Sequence, residues 1–167
     1  AAITALTTAQ ISELSTSALN ALSTAQLAAL EVADVAALTT AQVSKLSGEQ
    51  LSKLNNEQIV ALTTSQVQAL TKNQLTSLTT GQLNNMAAED LQALTTAQLR
   101  ALSTGQVSNL IAEQLNRMTT AQLQALGTEQ VVALTSGQLN AMTTSNLTSL
   151  TTTQVSKLTT GQIAQFS

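Results

Sequence analysis

The 167-residue sequence contains no Trp, Tyr, His, Cys or Pro and only one Phe. Without Cys the chain has no disulfide framework and no thiolate metal site. Without aromatic residues, a conventional globular core built on large rings is not expected. Serine and cysteine nucleophile systems also lack their usual base or thiol. We therefore predict no catalytic residue, no cofactor and no metal site, and we expect that the protein is not an enzyme.

Charged residues are also scarce. Six basic and nine acidic side chains give a net charge of −3, and neither sign forms a run. Nucleic-acid binding by phosphate neutralisation is therefore not expected. No apolar stretch approaches the roughly 20 residues that a membrane span needs. Hydrophobic residues still make up 43% of the chain against 9% charged, which is unlike a disordered chain, so the sequence is expected to fold.

A large apolar residue recurs every eight residues. This column starts at Leu6, continues for 21 positions to Phe166, and contains all three Met residues. A second column runs from Ile3 to Ile163 at the same period and contains only Leu, Ile or Val. Because there are no insertions, residues 1–167 are interpreted as one uninterrupted octapeptide array. The array begins with Ala1 rather than Met and is expected to be a segment of a longer protein.

The period of eight suits neither a continuous helix nor a strand. We number the octad L-T-T-x-Q-L-x-A from one to eight, with the Leu6 column at position one. On one long helix position one would turn by about 80° per octad, and a coiled coil needs a period near 3.5. In a strand, positions one and six would face opposite sides. A β-solenoid is an open alternative, but its bends usually need Gly, Asn or Asp, and the chain has six Gly.

Positions two and five carry a helix-start signal. Position two is Ser or Thr in 15 of 20 octads, and position five is Gln in 16 of 21. This spacing is typical of the capping box, and positions one and six then form a hydrophobic staple, as between Leu94 and Leu99. The sequence predicts an all-α solenoid of consecutive helices of about six or seven residues, one per octad. Three or four octads are expected per turn.

The positions of charged and small residues support this assignment of one short helix to each octad. Five Glu residues occur at position four and four basic residues at position eight, as the helix dipole favours, whereas Glu13 at position eight does not fit. They are Glu49, Glu57, Glu89, Glu113 and Glu129, and Lys45, Lys53, Arg117 and Lys157. Ala at position eight is expected to let neighbouring helices approach. Gly at position four either marks a similar close approach between coils or is simply tolerated near a helix start; these residues are Gly81, Gly105, Gly137 and Gly161.

Four octads break the capping pattern, because Glu31, Ala87, Ile111 and Gly127 occupy position two. Three of them bring acids, namely Glu31 with Asp34, Glu89 with Asp90, and Glu113. These acids could form Ca²⁺ sites. We favour the interpretation that they substitute for the missing cap at a helix N-terminus. A continuous helix across Gln82 to Leu94 is a further alternative.

Some side chains have both a packing and a functional interpretation. Met86, Met118 and Met142 could ligate haem or copper, but their place in the position-one column favours packing. Lys45, Lys53, Lys72 and Lys157 are expected to be solvated charges. Thr pairs at positions two and three could form a hydroxyl-and-methyl lattice of the kind found on ice-binding surfaces, although capping already explains position two. These pairs begin at Thr39, Thr79, Thr95, Thr119, Thr143, Thr151 and Thr159.

The iterated LTTAQL, LSTAQL and LTTGQL units resemble the long Thr/Gln/Leu octapeptide arrays of very large bacterial repeat proteins, which are often labelled haem utilisation or adhesion proteins. The resemblance covers the whole chain. It implies an extracellular or cell-surface bacterial protein in which the array is a stalk, spacer or filament. The haem label is not carried over, because the chain has no His.

The repeats at both ends resemble those in the middle, without the polar caps that an isolated solenoid needs. We therefore expect self-association, end to end or laterally. The alternative function is a binding module that uses the Thr-rich face to hold ice or glycan.

Overall fold

The computed structural model describes residues 3–166 and shows an all-α array, as predicted. Within this range a short 3-10 turn at Ile3–Ala5 precedes twenty α-helices, and there is no strand. Ala1, with which the predicted array begins, lies outside the described residues. The helices are four to six residues long, close to the six or seven expected. Their bounds are α1 Thr8–Ser12, α2 Thr16–Asn20, α3 Thr24–Ala28, α4 Val32–Ala37, α5 Thr40–Lys45, α6 Gly48–Ser52, α7 Asn56–Val60, α8 Thr64–Gln68, α9 Lys72–Ser77, α10 Thr80–Asn85, α11 Ala88–Ala93, α12 Thr96–Ala101, α13 Thr104–Ser108, α14 Ala112–Arg117, α15 Thr120–Ala125, α16 Thr128–Ala133, α17 Ser136–Ala141, α18 Thr144–Thr148, α19 Thr152–Val155 and α20 Thr160–Ala164.

The N-cap of each helix lies at position two, as the capping pattern predicts, and the helix itself begins at position three. Thr95, the N-cap of α12, has extended backbone angles, and its side chain accepts from the backbone N–H of Gln98. In return the Thr95 N–H donates to Gln98 Oε1 at 2.9 Å. Two orphan donors of the first turn are thereby satisfied in every octad that keeps this pair.

The helices end because the position-one residue returns to extended geometry. Leu102, after α12, has φ −60° and ψ 138°, and its N–H still bonds to the carbonyl of Leu99. The next residue, Ser103, is also extended and caps α13. Two successive extended residues therefore change the direction of the chain between α12 and α13.

The alternative of one helix from Gln82 to Leu94 is wrong. Met86 has φ −57° and ψ 139°, and Ala87 is also extended. Helix α10 therefore ends at Asn85, and α11 begins at Ala88. The two helices stay separate although Ala87 has no hydroxyl, because Met86 at position one is extended and its side chain is buried in the core.

The two apolar columns form one continuous core. From Ile11 to Leu139 every position-six side chain is at most 1% exposed, and position one is nearly as buried from Leu30 to Met142. Met86, Met118 and Met142 are buried in this core. Packing therefore accounts for their place in the repeat.

Helices three octads apart pack side by side. Contacts join α6 to α9, α12 to α15 and α13 to α16. Side-chain hydrogen bonds also reach the octad four positions back, as from Gln42 to Ile11. One turn of the coil therefore holds between three and four octads, in agreement with the expectation. No helix within residues 3–166 has both the length and the apolar character of a membrane span.

The close approach of helices occurs at a glycine that the sequence did not single out. A Cβ on Gly81 or Gly105 would lie 3.8–3.9 Å from the hydroxyl of its own N-cap and near no other coil. Close approach at position four is therefore wrong, and Gly there is simply tolerated. A Cβ on Gly48, at position three of α6, would instead lie 2.7 Å from the Cβ of Ser77 in α9.

Candidate functional site

The main functional feature of the array is a ladder of buried glutamine side chains at position five. Gln74 shows the geometry. Its Oε1 accepts from the N–H of Thr71 at 2.8 Å, which is the predicted capping bond. Its Nε2 donates to the carbonyls of Val43 and Leu46, both at 2.7 Å. One amide therefore caps the start of α9 and the end of α5.

The same bonds recur from α5 to α20, except at Asp90 in α11 and at Asn146 in α18. In each rung, Nε2 donates to carbonyls 31 and 28 residues earlier, and these carbonyls belong to the last turn of a helix four octads back. Such carbonyls have no partner within their own helix. The ladder thus satisfies them while it ties successive coils together. The rungs are formed by Gln42, Gln50, Gln58, Gln66, Gln74, Gln82, Gln98, Gln106, Gln114, Gln122, Gln130, Gln138, Gln154 and Gln162.

The capping box predicted only half of this role. A capping box accepts either Glu or Gln at N3, yet position five contains 16 Gln and no Glu. Gln is favoured over Glu because its NH₂ group donates to the neighbouring coil, which an ionised carboxylate cannot do. The absence of Glu was the signal in the sequence for the long-range bond.

A second set of bonds runs forward along the coil from position seven. Asn84 Nδ2 donates to the carbonyl of Asn109 at 3.0 Å, and Arg100 Nε donates to the carbonyl of Ala125 at 2.8 Å. Each bond spans 25 residues, to position eight of the octad three further on. Position seven varies in residue type, so the sequence pattern did not indicate it. The other donors are Gln92, Asn116, Gln124 and Asn140.

In the octads that break the capping pattern, the backbone N–H at position two finds its acceptor in different ways. The Gly127 N–H still donates to Gln130 Oε1 at 2.8 Å. The Glu31 N–H donates to Asp34 Oδ2 at 3.3 Å, so an acid does replace part of the cap there. The Ile111 N–H is instead taken by Asn84 Oδ1 at 2.9 Å, and Gln114 Oε1 is left without a partner.

The acidic residues considered as cation ligands do not converge. Among residues 3–166 no group of three or more acidic or other metal-ligating side chains comes together. Glu113 forms an ion pair with Arg117 at 2.6 Å. Asp90 is buried, and burial together with the neighbouring Glu89 raises its pKa from 3.8 to about 6.

The threonine side chains lie on the outside of the coil. Thr95 and Thr96 are exposed at the start of α12, and Thr119 and Thr120 are exposed at the start of α15, which packs beside it. The position-two hydroxyls accept capping bonds. The position-three hydroxyls of Thr96 and Thr120 make no hydrogen bond to the described part of the chain. Because consecutive octads face different sides of the coil, the pairs at Thr143, Thr151 and Thr159 do not share one face.

Exposed lysines and a groove beside Arg100 also belong to the surface. Lys45, Lys53, Lys72 and Lys157 are exposed, as expected for solvated charges. A groove of about 700 Å³ lies beside Arg100, where Gly127 lacks the side chain that caps other helices. Its polar lining includes Ser103, Thr104, Thr128 and Glu129.

Comparison with known families agrees with this architecture. The model of the ALTTAQ repeat matches five overlapping or successive segments, at residues 1–32, 27–64, 83–120, 112–144 and 133–167. No curated protein sequence matches the chain. The matched segments together cover residues 1–64 and 83–167, which is most of the array. The chain therefore belongs to the ALTTAQ repeat family.

Proposed function

We propose that this chain is a structural, non-enzymatic protein: a stalk, fibre or filament segment on the surface of a bacterium or outside it. The observation that carries the proposal is the glutamine ladder, which joins octads four apart from Gln42 to Gln162 and lacks a rung at Asp90. Each rung joins only two successive coils. Further octads can therefore be added to the array without any change in the bonds of the octads already present. Such an array supplies length and stiffness.

The extracellular location is proposed from the resemblance to octapeptide arrays of bacterial surface and secreted proteins. Self-association is supported by Val155 and Ile163, which belong to the buried position-six column but are 46% and 47% exposed. No later coil covers them within residues 3–166. These exposed apolar side chains would be buried by another coil of the same repeat, either from a continuing chain or from a second copy.

Length measurement tests the structural role. The chain and a tandem duplication of it, joined in octad register, are compared by small-angle X-ray scattering and negative-stain microscopy. The long dimension should double at constant width, because each added turn advances the coil by about one helix-packing distance of 8–10 Å. Two compact particles joined by a flexible link, or compact monomers with no rods, would contradict the proposal.

A binding function for the threonine surface is the second candidate. It is supported by the exposed position-three hydroxyls of Thr96 and Thr120 on two packed helices. Ice affinity of the wild type, of Thr96→Lys with Thr120→Lys, and of the control Gln68→Lys is measured together with circular dichroism. Loss of ice affinity in the double variant alone, with the helical spectrum retained, would favour binding. Absence of ice affinity in the wild type would exclude ice as the ligand.

A further inference from the structure

Two interior positions of the ladder lack glutamine. At Asn146 the shorter amide still donates to the carbonyls of Leu115 and Asn116, whereas at Asp90 no amide is present and the ladder has a gap. On one side of it, Gln82 donates to the carbonyls of Leu51 and Leu54. On the other side, Gln98 donates to the carbonyls of Val67 and Leu70. The same spacing of 31 and 28 residues assigns the carbonyls of Ile59 and Leu62, at the end of α7, to Asp90. These are the two acceptors that a glutamine would satisfy at this position.

The Asp90 side chain cannot replace the missing amide while it is ionised. The residue is 4% exposed, and its carboxylate forms no hydrogen bond within residues 3–166. An ionised carboxylate only accepts hydrogen bonds, and the last carbonyls of a helix are acceptors that carry the negative end of its dipole. Asp34, the other acid at position five, differs because its Oδ2 accepts from the Glu31 N–H.

We propose that Asp90 is an acid-dependent joint of the array. When its carboxyl group takes up a proton, the new O–H donates to a carbonyl at the end of α7, at Ile59 or Val60, which correspond to the two carbonyls that the equally short Asn146 reaches, and closes the gap in the ladder. At neutral pH the contact between α11 and the end of α7 stays weaker than the contacts on either side. The array therefore becomes more stable and more uniform as the pH falls. This inference does not depend on the location or the biological role proposed above.

The surrounding charges favour protonation at Asp90. Glu89 adjoins it on α11, and no charged residue occurs on α8, which packs against α11. On the other side, α14 carries Glu113 and Arg117, which pair with each other. Glu57 lies on α7, and Arg100, on α12, bonds to the Ala125 carbonyl. Among residues 3–166, therefore, no cationic side chain is paired with the Asp90 carboxylate.

The direction of the pH effect follows from the pKa. Burial first, and the charge of Glu89 second, raise the pKa of Asp90 from 3.8 to about 6. Because the folded protein binds this proton more tightly than the unfolded chain, the added stability is fully present below pH 3.8 and is lost as the pH rises through about 6. Between about pH 7.5 and about pH 5, the unfolding equilibrium constant should fall roughly tenfold from this group alone.

The test compares the full chain with Asp90→Gln and with the control Glu49→Gln, which removes an exposed carboxylate outside the ladder. Chemical denaturation is measured at neutral and at mildly acid pH, and the Asp90 carboxyl is titrated by carbon NMR. We expect Asp90→Gln to be more stable than wild type at neutral pH and to lose the roughly tenfold gain in acid. The Glu49→Gln control should keep that gain.

Three outcomes would overturn the inference. Asp90 could titrate near its ordinary pKa, with no link to the unfolding equilibrium. Asp90→Gln could retain the same gain in acid as wild type, which would place the titrating group elsewhere. Finally, Ca²⁺ at neutral pH could stabilise wild type as much as acid does, but not Asp90→Gln, which would show that a metal ion and not a proton closes the gap.

Discussion

The side chain of Gln74 donates a 2.7 Å hydrogen bond to the carbonyl of Val43, which lies 31 residues earlier in the chain. The same amide accepts from the N–H of Thr71 at the start of its own helix. A residue that begins one helix thus also terminates another. This double role explains how helices of four to six residues persist, although isolated helices of that length are unstable in water.

Core truncation should be costly inside the coil and mild at its C-terminal end. Leu99 is 0% exposed, whereas Ile163 occupies the same octad position at 47% exposure. We expect Leu99→Ala to lower the free energy of unfolding by about 2–5 kcal/mol, from lost burial and the cavity left behind. Ile163→Ala should cost less than about 1 kcal/mol, because its side chain is already half in water. Urea denaturation followed by circular dichroism measures both. Equal costs would mean that position six is not the inner column.

Alanine should have opposite effects at two glycines. Gly48→Ala places a Cβ 2.7 Å from the Ser77 Cβ and should destabilise the protein by about 1–3 kcal/mol. Gly105→Ala, at position four of another octad, meets only its own cap at 3.9 Å. That change should stabilise by about 0.5–1 kcal/mol through helix propensity. Thermal unfolding compares the two variants.

A second change identifies the cause of the Gly48 effect. Ser77→Gly removes the Cβ that the new methyl group of Gly48→Ala would contact. Combined with Gly48→Ala, it should restore part of the lost stability, beyond the sum of the two separate effects. Strictly additive losses would show that the approach of α6 to α9 does not limit residue size at Gly48.

A capping hydroxyl at position 127 should stabilise the array. Gly127 has φ −65° and ψ 156°, which Ser adopts readily and which other N-caps of the chain share. Its Cβ would lie 3.6 Å from Gln130 Oε1, an ordinary contact. Gly127→Ser adds an acceptor for the Gln130 N–H and reduces unfolded-chain entropy, so we expect a gain of about 0.5–1 kcal/mol in chemical denaturation. A loss of stability would show that the groove beside Arg100 excludes a side chain at this position.

The sequence predicted the features that repeat within one octad. The cap at Thr95, the inward position of Leu94 and Leu99 and the break after every eighth residue follow the pattern of the octad, so one octad contains their whole signal. The interval between coils is not encoded locally, because it depends on how the extended pair at each boundary redirects the chain. The bond from Gln74 to Val43 and the contact of Gly48 with Ser77 were therefore not predicted. The preference for Gln over Glu at position five was the one feature of the sequence that indicated the ladder.

The glutamine ladder can be tested by one pair of isosteric changes. Gln74→Glu keeps an acceptor for the Thr71 N–H but removes the donor to Val43 and Leu46. Gln26→Glu makes the same change at an exposed position that has the capping bonds alone. The two variants therefore differ in the bond between coils and share the bond within the octad.

The decisive measurement is the free energy of unfolding of these two variants at neutral pH. The account predicts a loss of about 2–3 kcal/mol for Gln74→Glu, because a buried charge then faces unpaired carbonyls. It predicts a change within about 0.5 kcal/mol for Gln26→Glu, where a carboxylate at a helix N-terminus is tolerated or favourable. If both variants were equally stable, or equally destabilised, the glutamines would act only as caps, and the coils would be held together without them.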